Sequence, residues 1–377
     1  MKTTAIICEL NPLHNGHKYL FDEAGRTSDC VIAVMSGSFT QRSEPALFDK
    51  YSRAADALSC GADIVVELPF PWSCASAAFF ASAGVKTAEK LGADELLFAS
   101  ECGDIDMIKR AADAAAMFDA SLPPDDSHTA DGIAVRREEY ARSVGIDAAL
   151  FSLPNNILGT EYARAADKLT LRTVRRKSGD RYASAGEIRG MIAAGADVRS
   201  FVPADLAGEY AKRIDSGMTA ACDHLHDIER LAMLLGRIGA DGIFDADGGL
   251  GERIITAARS SKTGSEMMTA AKTKKYTDSR IRRAAIYMLL GVTEEGVRMM
   301  PAYTTLLGAD AVGREYLAGV RKTAGMQVVT KPADVKQLSG IAARQAELAS
   351  LADELWCECA AARPEPSYFV KKHPVIV

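Results

Sequence analysis

Disulfide and metal frameworks are the first things this sequence lacks. Its eight cysteines, Cys8, Cys30, Cys60, Cys74, Cys102, Cys222, Cys357 and Cys359, form no Cys-x-x-Cys pair. Several sit inside apolar strand or helix patterns, so free thiols in a reducing compartment are expected. Asp223-His224-Leu225-His226 and Cys357-Glu358-Cys359 put potential ligands two apart in helical patterns, where they do not share a face, and no metal site is expected. No uncharged apolar run reaches roughly 18 residues, and no basic-then-apolar leader precedes the first strand. A cytoplasmic protein without a membrane partner is the expectation. Walker loops, GxSxG elbows and HExxH helices are missing, and with them the sequence support for those reaction classes. There is no general basic excess either. The formal charge is -5 and the pI near 5.8, so a polyanion would have to meet a local basic face.

What is present is a long chain, 377 residues and 48% hydrophobic, which predicts two domains. No repeat or low-complexity linker separates them, so they should pack together. Short apolar runs at 4–8, 30–35, 63–68 and 95–99 alternate with helical patterns at 17–24, 48–59 and 73–91, the mark of an α/β fold with a parallel sheet. Gly25, Gly61 and Gly92 stand where left-handed caps would end those helices. A helical stretch over 104–143 is broken by a turn at Pro123 to Asp126. Residues 153–159 read as a loop before a helix at 161–169, 171–177 as a further strand, and 184–194 as a helix. A boundary at Pro203 divides a Rossmann-like domain, 1–203, from a mostly helical domain, 204–377. In the second, helices are predicted at 204–214, 224–238, 252–273, 278–290 and 341–362, with a lone strand at 327–330 and an irregular tail from Pro364.

The first turn carries the chemistry. In Asn11-Pro12-Leu13-His14-Asn15-Gly16-His17, two histidines flank a glycine between a strand and a helix. The helix start offers unpaired N–H groups and the positive dipole end to a phosphate, and Gly16 lets the backbone come close. Both imidazoles can donate to charge that develops at an attacked α-phosphorus. The bland alternative is two surface histidines in a polar turn. Ligands of such sheets sit at the carboxyl ends of strands, where the polar segment Gly37 to Glu44 also falls. There Arg42, and farther on Lys50 and Arg53, are candidate phosphate contacts and Glu44 a candidate orienting partner. Asn155 and Asn156 suit base or ribose recognition, or simply a turn. Two basic clusters stand out. Arg172, Arg175, Arg176, Lys177, Arg181 and Arg189 form one; Lys272, Lys274, Lys275, Arg280, Arg282 and Arg283 form the other, with Tyr182 and Tyr276 among them. Both read as a polyanion face or as an ordinary salt-bridged surface.

The strings Glu9 to His17, Met35 to Ala46, Val66 to Pro69 and Pro154 to Gly159, in that order, resemble the bacterial tRNA(Met) cytidine acetate ligase family. Val174-Arg175-Arg176, Ala183 to Arg189 and Thr277 to Arg283 extend the resemblance. It implies a Rossmann-like HxGH nucleotidyltransferase domain followed by a mostly helical one. It also implies ATP-dependent ligation of acetate to the wobble cytidine of elongator tRNA(Met) through acetyl-adenylate, with Mg2+ accompanying the pyrophosphate and no protein partner evident. Catalysis falls to His14 and His17. The implied ATP site comprises Ile7, Cys8, Glu9, Leu10, Asn11, Pro12, Leu13, Asn15, Gly16, Leu20, Ala99, Asn155, Asn156, Arg175 and Arg176. The implied tRNA contacts are Lys274, Lys275, Arg280, Arg282 and Arg283. This chain departs from the family at Leu10 and Leu13, where an aromatic pair is common, and at Ala99, where a glycine precedes Ser-Glu. A small-molecule adenylyltransferase acting on a phosphorylated metabolite, and a non-catalytic RNA-binding protein on the same scaffold, are the competing readings. Spacing leaves open which of Asn155 and Asn156, and which of Arg175 and Arg176, meets ATP.

Overall fold

Four apolar runs become the parallel centre of one sheet. β1 (Thr3–Cys8), β2 (Cys30–Ser36), β3 (Ile64–Leu68) and β4 (Glu95–Ser100) are buried along almost their whole length, as strands covered by helices on both faces must be. β5 (Thr170–Arg175) pairs parallel with β4 from Glu95↔Thr170 to Ser100↔Arg175 and is the more exposed edge. The computed structural model describes residues 1–122, 130–320 and 324–377; the turn expected at Pro123 to Asp126 lies outside them.

Between the strands run α1 (Asn15–Gly25), α2 (Lys50–Ser59), α3 (Ala77–Lys90), α4 (Ile105–Ala120), α5 (Ala130–Ser143), α6 (Ala149–Ser152) and α7 (Pro154–Ala165). Side chains of β1 alternate between two cores. Ile6 and Cys8 meet Leu20, Phe21 and Leu58 of α1 and α2, while Ala5 and Ile7 meet Phe80, Val85 and Ile108 of α3 and α4. Gly61 and Gly92 have φ of 108° and 82° and act as the expected left-handed caps; Gly25 does not. The run 153–159, expected as a loop, is the first half of α7. Pro154 occupies its first turn, where no amide hydrogen is needed, and Gly159 lies against Phe98, with a Cβ at that position reaching within 2.6 Å of the ring.

The second half continues with α8 (Ala185–Ala193), α9 (Ala204–Asp215), α10 (Cys222–Leu234), α11 (Leu250–Ser260), α12 (Gly264–Ala271), α13 (Asp278–Leu290) and α14 (Glu294–Arg298). The single helix expected at 252–273 is two, because Thr263 leaves helical geometry and caps α12 by accepting from the Glu266 amide. Then comes β6 (Tyr303–Ala309), which the sequence reading missed. It pairs antiparallel with β3. After α15 (Ala311–Val320), β7 (Gln327–Val329) adds to β6, α16 (Gly340–Cys359) covers the sheet, and β8 (Val375–Ile376) pairs with β6. The order is therefore β5-β4-β1-β2-β3-β6-β7, a mixed, mostly parallel sheet with flanking helices. The closing stretch, expected as an irregular tail, buries Phe369 against Trp356 and returns to the sheet. No helix among the described residues is long and apolar enough to cross a membrane.

Candidate active site

At the carboxyl end of β1 the chain turns sharply. Leu10 takes a φ of 51°, the Asn11–Pro12 peptide is cis, and α1 begins at Asn15. His14 is the N-cap of α1. Its Nδ1 accepts from the Gly16 amide at 3.1 Å, and the His14 amide donates to Nδ1 of His17 at 3.3 Å. This is a capping box built from imidazoles. Because each Nδ1 is an acceptor, each proton must sit on Nε2, so the backbone fixes both tautomers and leaves two Nε2–H donors. The rings stack with centroids 3.9 Å apart. A Cβ on Gly16 would lie 2.9 Å from His14 Cε1, so the glycine gives the ring its room.

The electrostatics keep the pair uncharged. Burial, assisted by the Arg176 guanidinium, lowers His14 to about 4; burial, then His14, then Arg176 hold His17 well below the usual imidazole value. A neutral donor pair at a helix N-terminus suits an anion that gains charge during reaction.

The other predicted residues divide by what they touch. Asn11 Oδ1 accepts from the Leu47 amide at 2.7 Å, while Arg189 donates to Asn11 O at 2.7 Å and to Glu44 at 2.9 Å. Asn15 Nδ2 donates to Arg181 O and Ser200 O. These two amides hold the turn in shape. Ile7, Cys8, Leu10, Leu13 and Leu20 are buried, and burial pushes the Cys8 thiol up to about 12. Leu13 O accepts from the Tyr210 hydroxyl at 2.9 Å. Pro12 is buried and Glu9 half-buried, its carboxylate accepting from the Gln41 amide at 2.6 Å.

Across the sheet, β4 and β5 end in a second cluster organised by Glu101, which the sequence reading did not single out. Its carboxylate accepts from the Asn155 and Asn156 amides, at 3.3 and 2.7 Å, and from Asn155 Nδ2 at 2.7 Å, and it pairs with Arg176 at 3.5 Å. An acidic residue directly after a buried strand, on the ligand edge of the sheet, was the available signal. Asn156 is buried with both amide atoms used, Oδ1 by the Cys102 amide and Nδ2 on Ala149 O. Asn155 is half-buried. Arg175 donates to Cys102 O at 3.2 Å, and Arg176 is the arginine whose charge reaches both histidines. Ala99 is half-exposed opposite Val174.

Two expectations need correction. Arg53 and Lys50 are not phosphate contacts. The buried Arg53 guanidinium donates to the carbonyls of Phe48, Glu9, Ser36 and Gly37, stitching the ends of β1 and β2; Lys50 is buried between Glu67 and Asp353. Nor does the second basic cluster form one exposed face. Arg280 and Arg283 are buried and paired with Asp245 and Asp247, because α13 turns that side to the core. Arg282 points the other way, to Arg42 O and Glu44, which leaves Lys272, paired with Asp278, and Lys274 and Lys275 at the surface. Arg42 itself is exposed.

Known proteins share this architecture. The model of the HIGH Nucleotidyl Transferase family matches residues 1–367. The tRNA(Met) cytidine acetate ligase of Syntrophotalea carbinolica is 34% identical over 358 residues, spanning 88% of this chain and 85% of that protein. The protein of the same name from Acetivibrio thermocellus is 29% identical over 398 aligned positions, 95% of each chain. The crystal structure of Thermotoga maritima TmcAL bound with alpha-thio ATP matches with a TM-score of 0.88 at 27% identity, covering 100% of this chain and 99% of that one. With the imidazole turn, the sheet order and the full-length matches in agreement, this chain belongs to the HIGH nucleotidyltransferases, in the tRNA(Met) cytidine acetate ligase family.

Proposed function

We infer that this protein uses ATP to join acetate to the exocyclic amine of the wobble cytidine of elongator tRNA(Met). An acetate oxygen attacks the α-phosphorus and pyrophosphate leaves. The cytidine amine then attacks the acetyl carbonyl, AMP leaves with the carbonyl's former oxygen partner, and the amine loses a proton. The first step is needed because free acetate is a poor electrophile and the amine a poor nucleophile. The observation that carries the reading is the stacked pair of neutral imidazoles with both Nε2–H groups unclaimed by the capping box. Donors fixed before the reaction stabilise the five-coordinate phosphorus without having to reorganise. The names of the relatives and the ATP analogue of the Thermotoga maritima structure support the same reading.

Within the site, Gly16 and the start of α1 would receive the phosphates. Asn155 is the asparagine we assign to the nucleotide, since the amide of Asn156 is fully used inside the fold. Arg176, coupled to both histidines, is the arginine we assign. ATP would arrive as its Mg2+ complex, with phosphate oxygens and waters as the main ligands. Lys274, Lys275 and Arg282, with exposed Arg175, Lys177 and Arg181, are the cations proposed to meet tRNA. The nucleotide chemistry then lies before residue 203, and RNA contact is drawn from both sides of it, over a shared sheet.

The test is to incubate the protein with ATP, Mg2+, labelled acetate and bacterial tRNA and to digest the RNA. Label is expected in acetylcytidine, only when ATP is present. His14→Ala and His17→Ala should each lower acetyl-adenylate formation by about 10²–10³ while tRNA affinity holds. Undiminished acetylation by both variants would remove the histidines from the mechanism.

A further inference from the structure

A cavity of about 230 Å3 lies between β6, β7, α16 and the start of α2. It shares none of the residues of the histidine turn. Its polar wall is a buried ion triad. Lys50 Nζ donates to Glu67 at 2.8 and 3.0 Å and to Asp353 at 2.6 Å, and Asp353 also accepts from Ser38 at 2.5 Å. All three ammonium hydrogens are used, whereas each carboxylate keeps further lone pairs. With two carboxyl groups to one ammonium, the wall has more acceptors than donors.

Two tyrosines face the same space. Tyr51 is 8% and Tyr303 2% exposed, both line the cavity, and neither hydroxyl has a hydrogen-bond partner among the described residues. Neither hydroxyl oxygen is sealed from solvent, so both open to the cavity and can pair with a polar ligand or water that enters it. Leu306, Val329, Ala349 and Phe369 supply flat apolar walls, and exposed Lys331 and Lys336 stand at the mouth. The volume is enough for one ring system.

From this arrangement we propose that the cavity holds a single unstacked nucleobase bearing an exocyclic amine, cytosine or adenine, from the RNA substrate. The amine donates to the free lone pairs of Glu67 and Asp353, the ring edge exchanges hydrogen bonds with Tyr51 and Tyr303, and the ring packs on the apolar wall. Lys331 and Lys336 take the flanking phosphates outside. Uracil presents a carbonyl where cytosine presents the amine, and a carbonyl oxygen facing carboxylates is repelled. Unpaired bases splayed out of the RNA and read on their edges are how single-stranded RNA is recognised in sequence. The cavity thus supplies a base-selective subsite distinct from the lysines that track the backbone. This rests on the RNA-modifying reading above.

The experiment uses the full chain labelled with 3-fluorotyrosine, with the Tyr51 and Tyr303 fluorine resonances assigned by Tyr51→Phe and Tyr303→Phe. Cytidine, adenosine and uridine are titrated separately, then elongator tRNA(Met). Both resonances should shift with cytidine or adenosine and with tRNA, but not with uridine. Tyr303→Phe should weaken tRNA binding about three- to tenfold, the worth of one hydrogen bond, and leave acetate-dependent exchange of pyrophosphate into ATP unchanged. Equal shifts with uridine, or no shift with tRNA and nucleosides alike, would overturn the proposal. Shifts with free nucleosides alone would overturn the RNA source and assign the cavity to a soluble nucleoside. If pyrophosphate exchange never occurs, the ligase reading fails, and the titrations still report on the cavity.

Discussion

Two backbone hydrogen bonds decide what the histidines can do. By accepting at Nδ1, both rings give up the site at which a second proton would sit, so protonation breaks the cap as well as adding charge. The folded protein resists that proton until the pH nears 4 at His14, against an ordinary value of 6.5. The unfolded chain accepts it at the ordinary value. Below pH 6.5 the unfolded state therefore binds more protons, and stability falls as pH drops from 6.5 to 4, by up to about 3 kcal/mol. Urea unfolding at pH 7, 5.5 and 4.5 should show this loss, and His14→Gln should reduce it to the share of His17, which burial also lowers. An equal loss in that variant would place the titration elsewhere. The identity of these residues was plain in the sequence because HxGH is local. Their protonation was not, since it depends on burial and on Arg176, more than 150 positions away along the chain.

One carboxylate organises the ends of three elements. Glu101, just past β4, closes the N-terminus of α7 and pairs with Arg176 beyond β5. Burial alone would raise its pKa, but the donors from Asn155 and Asn156 bring it below the usual carboxylate range. Glu101→Ala strands those donors and should cost about 1–3 kcal/mol. The same change frees Asn155 and Arg176, so the KM for ATP should rise more than kcat falls. Thermal unfolding and initial rates of pyrophosphate exchange measure both; a stability loss with unchanged KM would separate the cluster from the nucleotide. Strands β1 to β4 were legible as elements because each is a short apolar run bounded by glycine or polar residues, and β5 because Leu171 and Val174 alternate with polar and basic residues. Pro154, Asn155 and Asn156 look like turn residues, although proline at a first helical turn and a carboxylate receiving the next two amides make them the start of α7. β6 is hard to read because Tyr-Thr-Thr-Leu-Leu-Gly-Ala has a weak period, and its burial comes from distant elements, β3, α2 and α16 among them.

Across the whole molecule, the two halves share one sheet and both of the cores that flank it. Trp356 of α16 donates to Ala46 O at 2.7 Å, Thr304 of β6 to Glu67 O at 2.7 Å, and Lys50 reaches Asp353. A fragment ending at residue 203 loses β6 and the cover of α16, and should fail to unfold cooperatively. Calorimetry of the intact chain should show a single transition across these shared contacts. A stable, cooperative fragment would establish the first half as an independent folding unit. The sequence read the α/β class and the helical second half well, but not the return of the chain to the sheet, which rests on partners far apart in order. That return also bears on biosynthesis. β3 ends at residue 68 and its antiparallel neighbour begins at residue 303, so at a ribosome's pace one side of the nascent sheet stays without its partner for roughly ten to fifty seconds. During that interval β3 offers an open, apolar edge to any other chain. Slow translation at low temperature, or overproduction, should therefore drive this protein into inclusion bodies, and co-expressed holdase chaperones should recover it.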